Sequence, residues 1–148
     1  MGEVSDDFDL ERFVSAQDRD GTYAAALAEL RAGHKRGHWM WFVFPQVAGL
    51  GRSGMAEHFA VSGLAEARAY LEHPVLGPRL VECARALTAL PDTDPVRVMG
   101  QHVDAMKLRS SMTLFGRAAT EPDTQDAFRS VLEQYYAGDE DPATLALL

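Results

Sequence analysis

The chain has 148 residues, which fits one folded unit and suffices to bury an ordinary hydrophobic core. Its composition is 47% hydrophobic and 24% charged, with a mean hydropathy of -0.17; this excludes a disordered chain and a bundle of membrane-spanning helices. The single cysteine, Cys83, excludes an internal disulfide and a cysteine-rich zinc site, and the net charge of -8 argues against general nucleic-acid binding, which needs a broad basic surface.

The charge is unevenly spread. Residues 1–20 hold seven acidic side chains against Arg12 and Arg19, and residues 121–148 hold seven against Arg129 alone. The middle, 21–120, is therefore mildly basic, enough for a local pocket that holds a small anion. The acidic start has neither the basic flank nor the apolar run of a secretory signal, so the expected location is the cytoplasm, where a lone thiol stays reduced. Residues 1–8 are expected to be flexible.

Apolar residues recur mostly at spacings of three and four, the period of helices. Leu10, Phe13 and Val14 give a short apolar face. Thr22 can cap a second helix that carries Tyr23, Leu27 and Leu30 and stops at Gly33. His38-Trp39-Met40-Trp41-Phe42-Val43-Phe44 is apolar all round and ends at Pro45. With no partner strand evident, it reads as a buried helix or an extended plug. After the Gly49-Leu50-Gly51 loop, Ser53 can cap a helix over 54–60. Ser62 and Glu66 resemble a capping box ahead of a helix over 64–72. Leu76, Leu80, Ala84 and Leu87 share a face, with Cys83 among them as a buried structural cysteine. Asp94-Pro95 starts a short helix that ends at Gly100. Helices over 106–118 and 125–136 follow, and Asp141-Pro142 opens a last one. The fold class predicted is all-α: one multihelical domain over 1–148, of about eight mostly short helices.

Two blocks do not look like ordinary core. The first, His38 to Gln46, holds both tryptophans, and an indole N–H needs a partner when buried. It can form the wall of a pocket, with Trp39 and Trp41 stacking on a flat ligand and Gln46 reading a polar edge. The second, Asp104 to Phe115, carries Lys107, Arg109, Ser110, Ser111 and Thr113 within a few helical turns, a set suited to phosphate or ribose. Lys107 is one of two lysines beside twelve arginines, so a compact ammonium is retained there. Asp104 can cap this helix, and with Lys107 it is the only acid–base pair inside a motif. The apolar stripe Leu108, Leu114 and Phe115 should turn towards the densest apolar target, so the two blocks should touch. Other constellations are poorer. His34 and His38 lack an acidic partner for zinc, and Ser53 is not in a nucleophile elbow because position 55 is Met55.

The stretches His38-Trp39-Met40-Trp41-Phe42-Val43-Phe44-Pro45-Gln46 and Lys107-Leu108-Arg109-Ser110-Ser111-Met112-Thr113-Leu114-Phe115 resemble the signatures of a bacterial family of unknown function. Its members are sometimes labelled "calpastatin" in error. The resemblance also runs through Phe13–Gln17, Gly49–Gly51, Glu66–Leu71, His73–Leu80 and Thr144–Leu148, and so covers nearly the whole chain. It implies a mainly helical fold and no established activity. A fainter resemblance, in size and helical character, is to a superfamily of N-glycosidases that act on ribosylated nucleotides. The chain lacks that superfamily's opening glutamate stretch and its closing glycine-asparagine stretch, so no catalytic residue is carried over.

The reading that results is a cytoplasmic helical domain with one cleft for a nucleotide-like or phosphate-bearing small molecule, and no cofactor or metal. The ligand-binding residues are His38, Trp39, Trp41, Gln46, Lys107, Arg109, Ser110, Ser111 and Thr113. If it is an enzyme, the chemistry proposed is hydrolysis of an N-glycosidic bond, with Asp104 orienting water and Lys107 steadying the leaving group. The alternative is a non-catalytic protein–protein interaction module.

Overall fold

A computed structural model describes residues 6–148. Residues 1–5 of the acidic lead-in lie outside the described residues, while Asp6 is held: its carboxylate accepts the backbone N–H groups of Leu10 and Glu11. The helices are α1 (Glu11–Asp18), α2 (Thr22–Ala32), α3 (Met40–Val43), α4 (Gly54–His58), α5 (Leu64–Glu72), α6 (Leu76–Thr88), α7 (Pro95–Met99), α8 (His102–Ala118), α9 (Pro122–Tyr136) and α10 (Pro142–Ala146). A 3-10 turn over Arg19–Gly21 links α1 to α2. Among the described residues there is no sheet, only one parallel bridge between Val47 and Val61. Among the described residues no helix is long and apolar enough to cross a membrane.

Local signals explain several of the boundaries. Ser53 caps α4 by accepting the Ala56 N–H at 3.1 Å, Asp94 caps α7, and Asp141 caps α10. Both aspartates precede a proline whose missing N–H costs nothing in the first turn. Other expectations are corrected. Thr22 is not a cap: Gly21, in the left-handed region, precedes α2, and the Thr22 hydroxyl donates back to the Arg19 carbonyl. Asp104 does not cap α8, which begins earlier, at His102, behind Gln101. The Ser62–Glu66 pair forms only the return arm of a capping box. The Glu66 carboxylate accepts from the Ser62 N–H and hydroxyl, while Gly63 holds the cap position.

The seventeen-residue α8 is the axis of the fold, packed by α5, α7, α9 and α10. A chain of aromatic contacts runs through the core. Phe13 meets Tyr70 edge-on at 5.1 Å, Tyr70 meets Phe115 at 5.0 Å, and Phe115 meets Phe128 at 6.1 Å. Offset and edge geometries of this kind add to area burial because the positive ring edge meets a negative face. Cys83 is fully buried, and burial pushes its thiol up to about 12. Such burial in apolar surroundings fits a structural cysteine, as the sequence suggested.

The first sequence block resolves into a short helix and an extended exit. Met40–Val43 make one turn, α3, and Gln17 Nε2 donates to the Phe42 carbonyl at 2.8 Å. The chain then straightens. The Val61 N–H donates to the Gln46 carbonyl and the Ala48 N–H donates to the Val61 carbonyl, which pins the exit against the segment after α4. Helix and extended plug were alternatives from sequence, and the structure uses both in succession.

Candidate functional site

The two tryptophans have opposite fates. Trp39 is 2% exposed, and its indole N–H donates to Glu29 Oε1 at 3.1 Å. Glu29 also accepts the backbone N–H groups of Arg36 and Gly37. Burial alone would raise the Glu29 pKa, but these N–H groups prevail and hold it below the usual carboxylate range. Lys35 Nζ lies 4.9 Å from the Trp39 ring centre, donates to the Gly37 carbonyl, and forms a buried ion pair with Asp104 at 2.8 Å. Both side chains of that pair are 5% exposed. Trp39, Lys35, Glu29 and Asp104 thus lock the loop before α3 onto α8. Asp104 is therefore not the acid partner of Lys107 expected from the motif; its charge is committed to Lys35.

Trp41 is half-buried, and Lys107 Nζ lies 5.1 Å from its ring centre. The two sequence blocks do meet, despite the chain between them. The contact stands at a cavity of about 190 Å³ lined by Met40, Trp41 and Phe44 of the first block, Lys107 of α8, and Ala56 and Glu57 of α4. Gln46, Phe59 and the Ala48–Gly49 and Gly51 backbone complete the wall. The loop geometry demands its glycines. Gly49 has φ +103, and a Cβ on Gly51 would collide with the Ala56 methyl.

The rest of the second block turns away from this cavity. Arg109 donates to the carbonyls of Asp139 and Glu140 at 2.9 and 2.8 Å. Ser110 donates to Asp141 Oδ2 at 3.0 Å, and Thr113 Oγ1 accepts the Asp141 N–H at 2.9 Å while donating to the Arg109 carbonyl. These three residues moor the segment that leads into α10, and none of them lines the cavity. The reason is angular: Arg109 and Thr113 lie about one turn apart on a different face of α8 from Lys107. Ser111 is fully buried, and its hydroxyl has no hydrogen-bond partner among the described residues. His38 is exposed and is not part of the cavity wall.

What sequence reasoning missed is Glu57. It sits in a short exposed helix with no motif around it, and only the fold carries it to the cavity wall. The cavity's polar side chains share one property. Gln46, Glu57 and the Trp41 indole make no side-chain hydrogen bond or ion pair among the described residues, and Lys107 has only the Trp41 face. Some charged groups elsewhere are held by the fold, Arg12 by Glu66 and four carbonyls, Arg79 by Gln17 and Asp18, Arg117 by Glu140, while surface charges such as Arg68 and Arg85 are, like those of the cavity, without a side-chain hydrogen bond or ion pair among the described residues. A larger open groove runs along α6 beside Val81, Arg85 and Leu90, and there the facing charges of Arg31 and Glu82 pair with each other.

Comparison with known proteins adds the fold's relatives. A family model described as "Protein of unknown function (DUF1810)" matches residues 7–148. The crystal structure of the conserved hypothetical protein Rv1873 from Mycobacterium tuberculosis superposes with a TM-score of 0.89 at 50% identity, over 97% of this chain and 98% of that one. No curated protein matches the chain.

Proposed function

Given that the chain belongs to the DUF1810 family of unknown function, we propose that it is a cytoplasmic small-molecule-binding protein whose ligand is a nucleotide-like or phosphate-bearing anion. The ligand enters the cleft between α3, α4 and α8. The observation that carries this reading is that Lys107 and Trp41, from the two sequence blocks, meet at one cavity, with the uncommitted side chains of Gln46 and Glu57 also lining it. An ammonium resting on an aromatic face gains only about 0.5–2 kcal/mol and leaves no carboxylate uncompensated when it moves, so it is free to turn to an arriving anion. The half-exposed Trp41 offers a flat apolar surface beside it. If the protein is hydrolytic, the carboxylate available to orient water at this cleft is Glu57, since Asp104 is spent on Lys35.

The test is thermal unfolding of the wild type, Lys107→Ala and Trp41→Ala with nucleoside monophosphates. A ligand at a hundred times its dissociation constant stabilises the folded state by about 2.7 kcal/mol. The wild type should show such a shift and both variants should lose it. No shift with any mononucleotide would remove the reading. The alternative, a protein-interaction module, has its own support in Val103 and Met106, which are 55% and 57% exposed on α8. It predicts a heavier complex that survives Lys107→Ala and is lost in Met106→Asp.

A further inference from the structure

Part of the cleft is built by chain that the core does not hold. The backbone leaves the core at Val47 and returns at Val61, where the Ala48 N–H donates to the Val61 carbonyl and the Val61 N–H to the Gln46 carbonyl. Between those points the chain makes a closed excursion whose ends meet at a neck. Val47 and Val61 at the neck are 2% and 0% exposed, whereas none of residues 48–58 is buried. The excursion contains α4 and supplies Ala48, Gly49, Gly51, Ala56 and Glu57 to the cavity lining.

Its two ends are held unequally. At the trailing end Phe59 is buried, with its ring 5.8 Å from that of Phe13 and 5.3 Å from that of Phe42. Arg12, itself ion-paired with Glu66, donates to the His58 and Ala60 carbonyls at 2.9 and 2.8 Å. At the leading end Leu50 is only half-buried, and the exposed Leu147 side chain lies beside Gly49. Among the described residues, the hydrogen bonds of residues 49–57 stay within residues 49–60: the Ala56 N–H goes to Ser53 Oγ and the Glu57 N–H to the Ser53 carbonyl. Gly49, Gly51 and Gly54 give the same end its backbone freedom. Few buried contacts and solvent-exposed backbone bonds are what let a segment open locally while the core stays closed.

The cavity of about 190 Å³ is smaller than the roughly 300–1,000 Å³ of small-molecule sites, so a ligand of nucleotide size needs one of its walls to move. Resting on the cleft reading above, we infer that residues 49–57 are a lid: they swing about Phe59 and Arg12 and must lift before such a ligand reaches Trp41 and Lys107. The pinned end stays with the core and the glycine-bearing end travels, so a few backbone positions absorb the change. A rigid wall that melts only with the core makes the opposite predictions.

The experiment uses the full chain without ligand. Acrylamide quenching of the wild type against Trp41→Phe isolates the Trp41 fluorescence, and amide exchange follows the lid. The Ala56 and Glu57 amides should exchange at least about ten-fold faster than the Val61 amide, at a rate that low urea leaves unchanged, as local opening does. In Gly51→Ala the new methyl collides with that of Ala56, so the closed lid loses its own packing. Trp41 quenching should then rise about two-fold or more while the melting midpoint stays within about 2 °C of the wild type. Gly54→Ala, whose methyl meets open space, should leave quenching at the wild-type level. Exchange of Ala56 and Glu57 in step with Val61 overturns the lid. So does a Gly51→Ala protein that loses its midpoint, or fails to fold, without a gain in quenching, because the loop is then part of the cooperative core. These results stand whether or not a mononucleotide raises the melting midpoint, so the lid and the ligand reading fail separately.

Discussion

Lys107 and Asp104 stand three residues apart in one helix and have opposite relations to the fold. Asp104 is 4% exposed and paired with Lys35. Removing one partner of a buried pair leaves the other charge uncompensated, at a cost of about 3–5 kcal/mol. Asp104→Ala should therefore lower stability by that amount in denaturant titration, while Lys107→Ala should change it by less than about 0.5 kcal/mol. Equal effects would show that the ion pair is not what holds the loop before α3. Ser111 makes a third case. Its buried hydroxyl has no partner, so Ser111→Ala removes a desolvated polar atom and adds helix propensity. The variant should be as stable as the wild type or up to about 1 kcal/mol more stable. Loss of stability would instead reveal an ordered water on that hydroxyl.

The α10 element is held through Asp141, and there charge and capping coincide. Its carboxylate accepts the Thr144 N–H and the hydroxyls of Thr144 and Ser110. Burial alone would raise its pKa, but those hydrogen bonds prevail and depress it. A depressed folded-state value means that its contribution is present above the unfolded value of about 3.9 and is lost as pH falls through the folded value below it. Between about pH 5 and pH 2, the wild type should lose more stability than Asp141→Asn does. Parallel curves for the two proteins would place the acid sensitivity elsewhere. The same mooring predicts that Arg109→Ala is not silent. It removes two charge-assisted bonds to the Asp139 and Glu140 carbonyls, so a loss of about 1–3 kcal/mol is expected, with faster amide exchange across residues 139–147.

Across the whole molecule, the aromatic block acts as plug and as wall. Trp39 is fully enclosed and should cost about 3–5 kcal/mol on replacement by alanine, as large buried aromatics do. Trp41→Ala should cost clearly less and should take ligand binding with it. A reversed order in chemical denaturation would mean that Trp41, not Trp39, ties the block to the core.

Much of the fold was legible in the sequence. The apolar period gave an all-α chain. Asp94-Pro95, Asp141-Pro142 and Ser53 marked real helix starts, because capping depends on residues within four positions of each other. Burial of Cys83 and contact between the two blocks also followed from patterning. The candidate site was only half legible. Trp41, Gln46 and Lys107 stand together at the cleft, but Arg109, Ser110 and Thr113 spend their polar groups on the segment before α10. Asp104 belongs to Lys35, and Glu57 had no motif to announce it. The physical reason is one of range. Capping and amphipathic period are set by near neighbours along the chain, so residue order determined them. Whether a polar side chain is spent or free depends on which distant groups the packed helices bring beside it, and only the tertiary structure decided that.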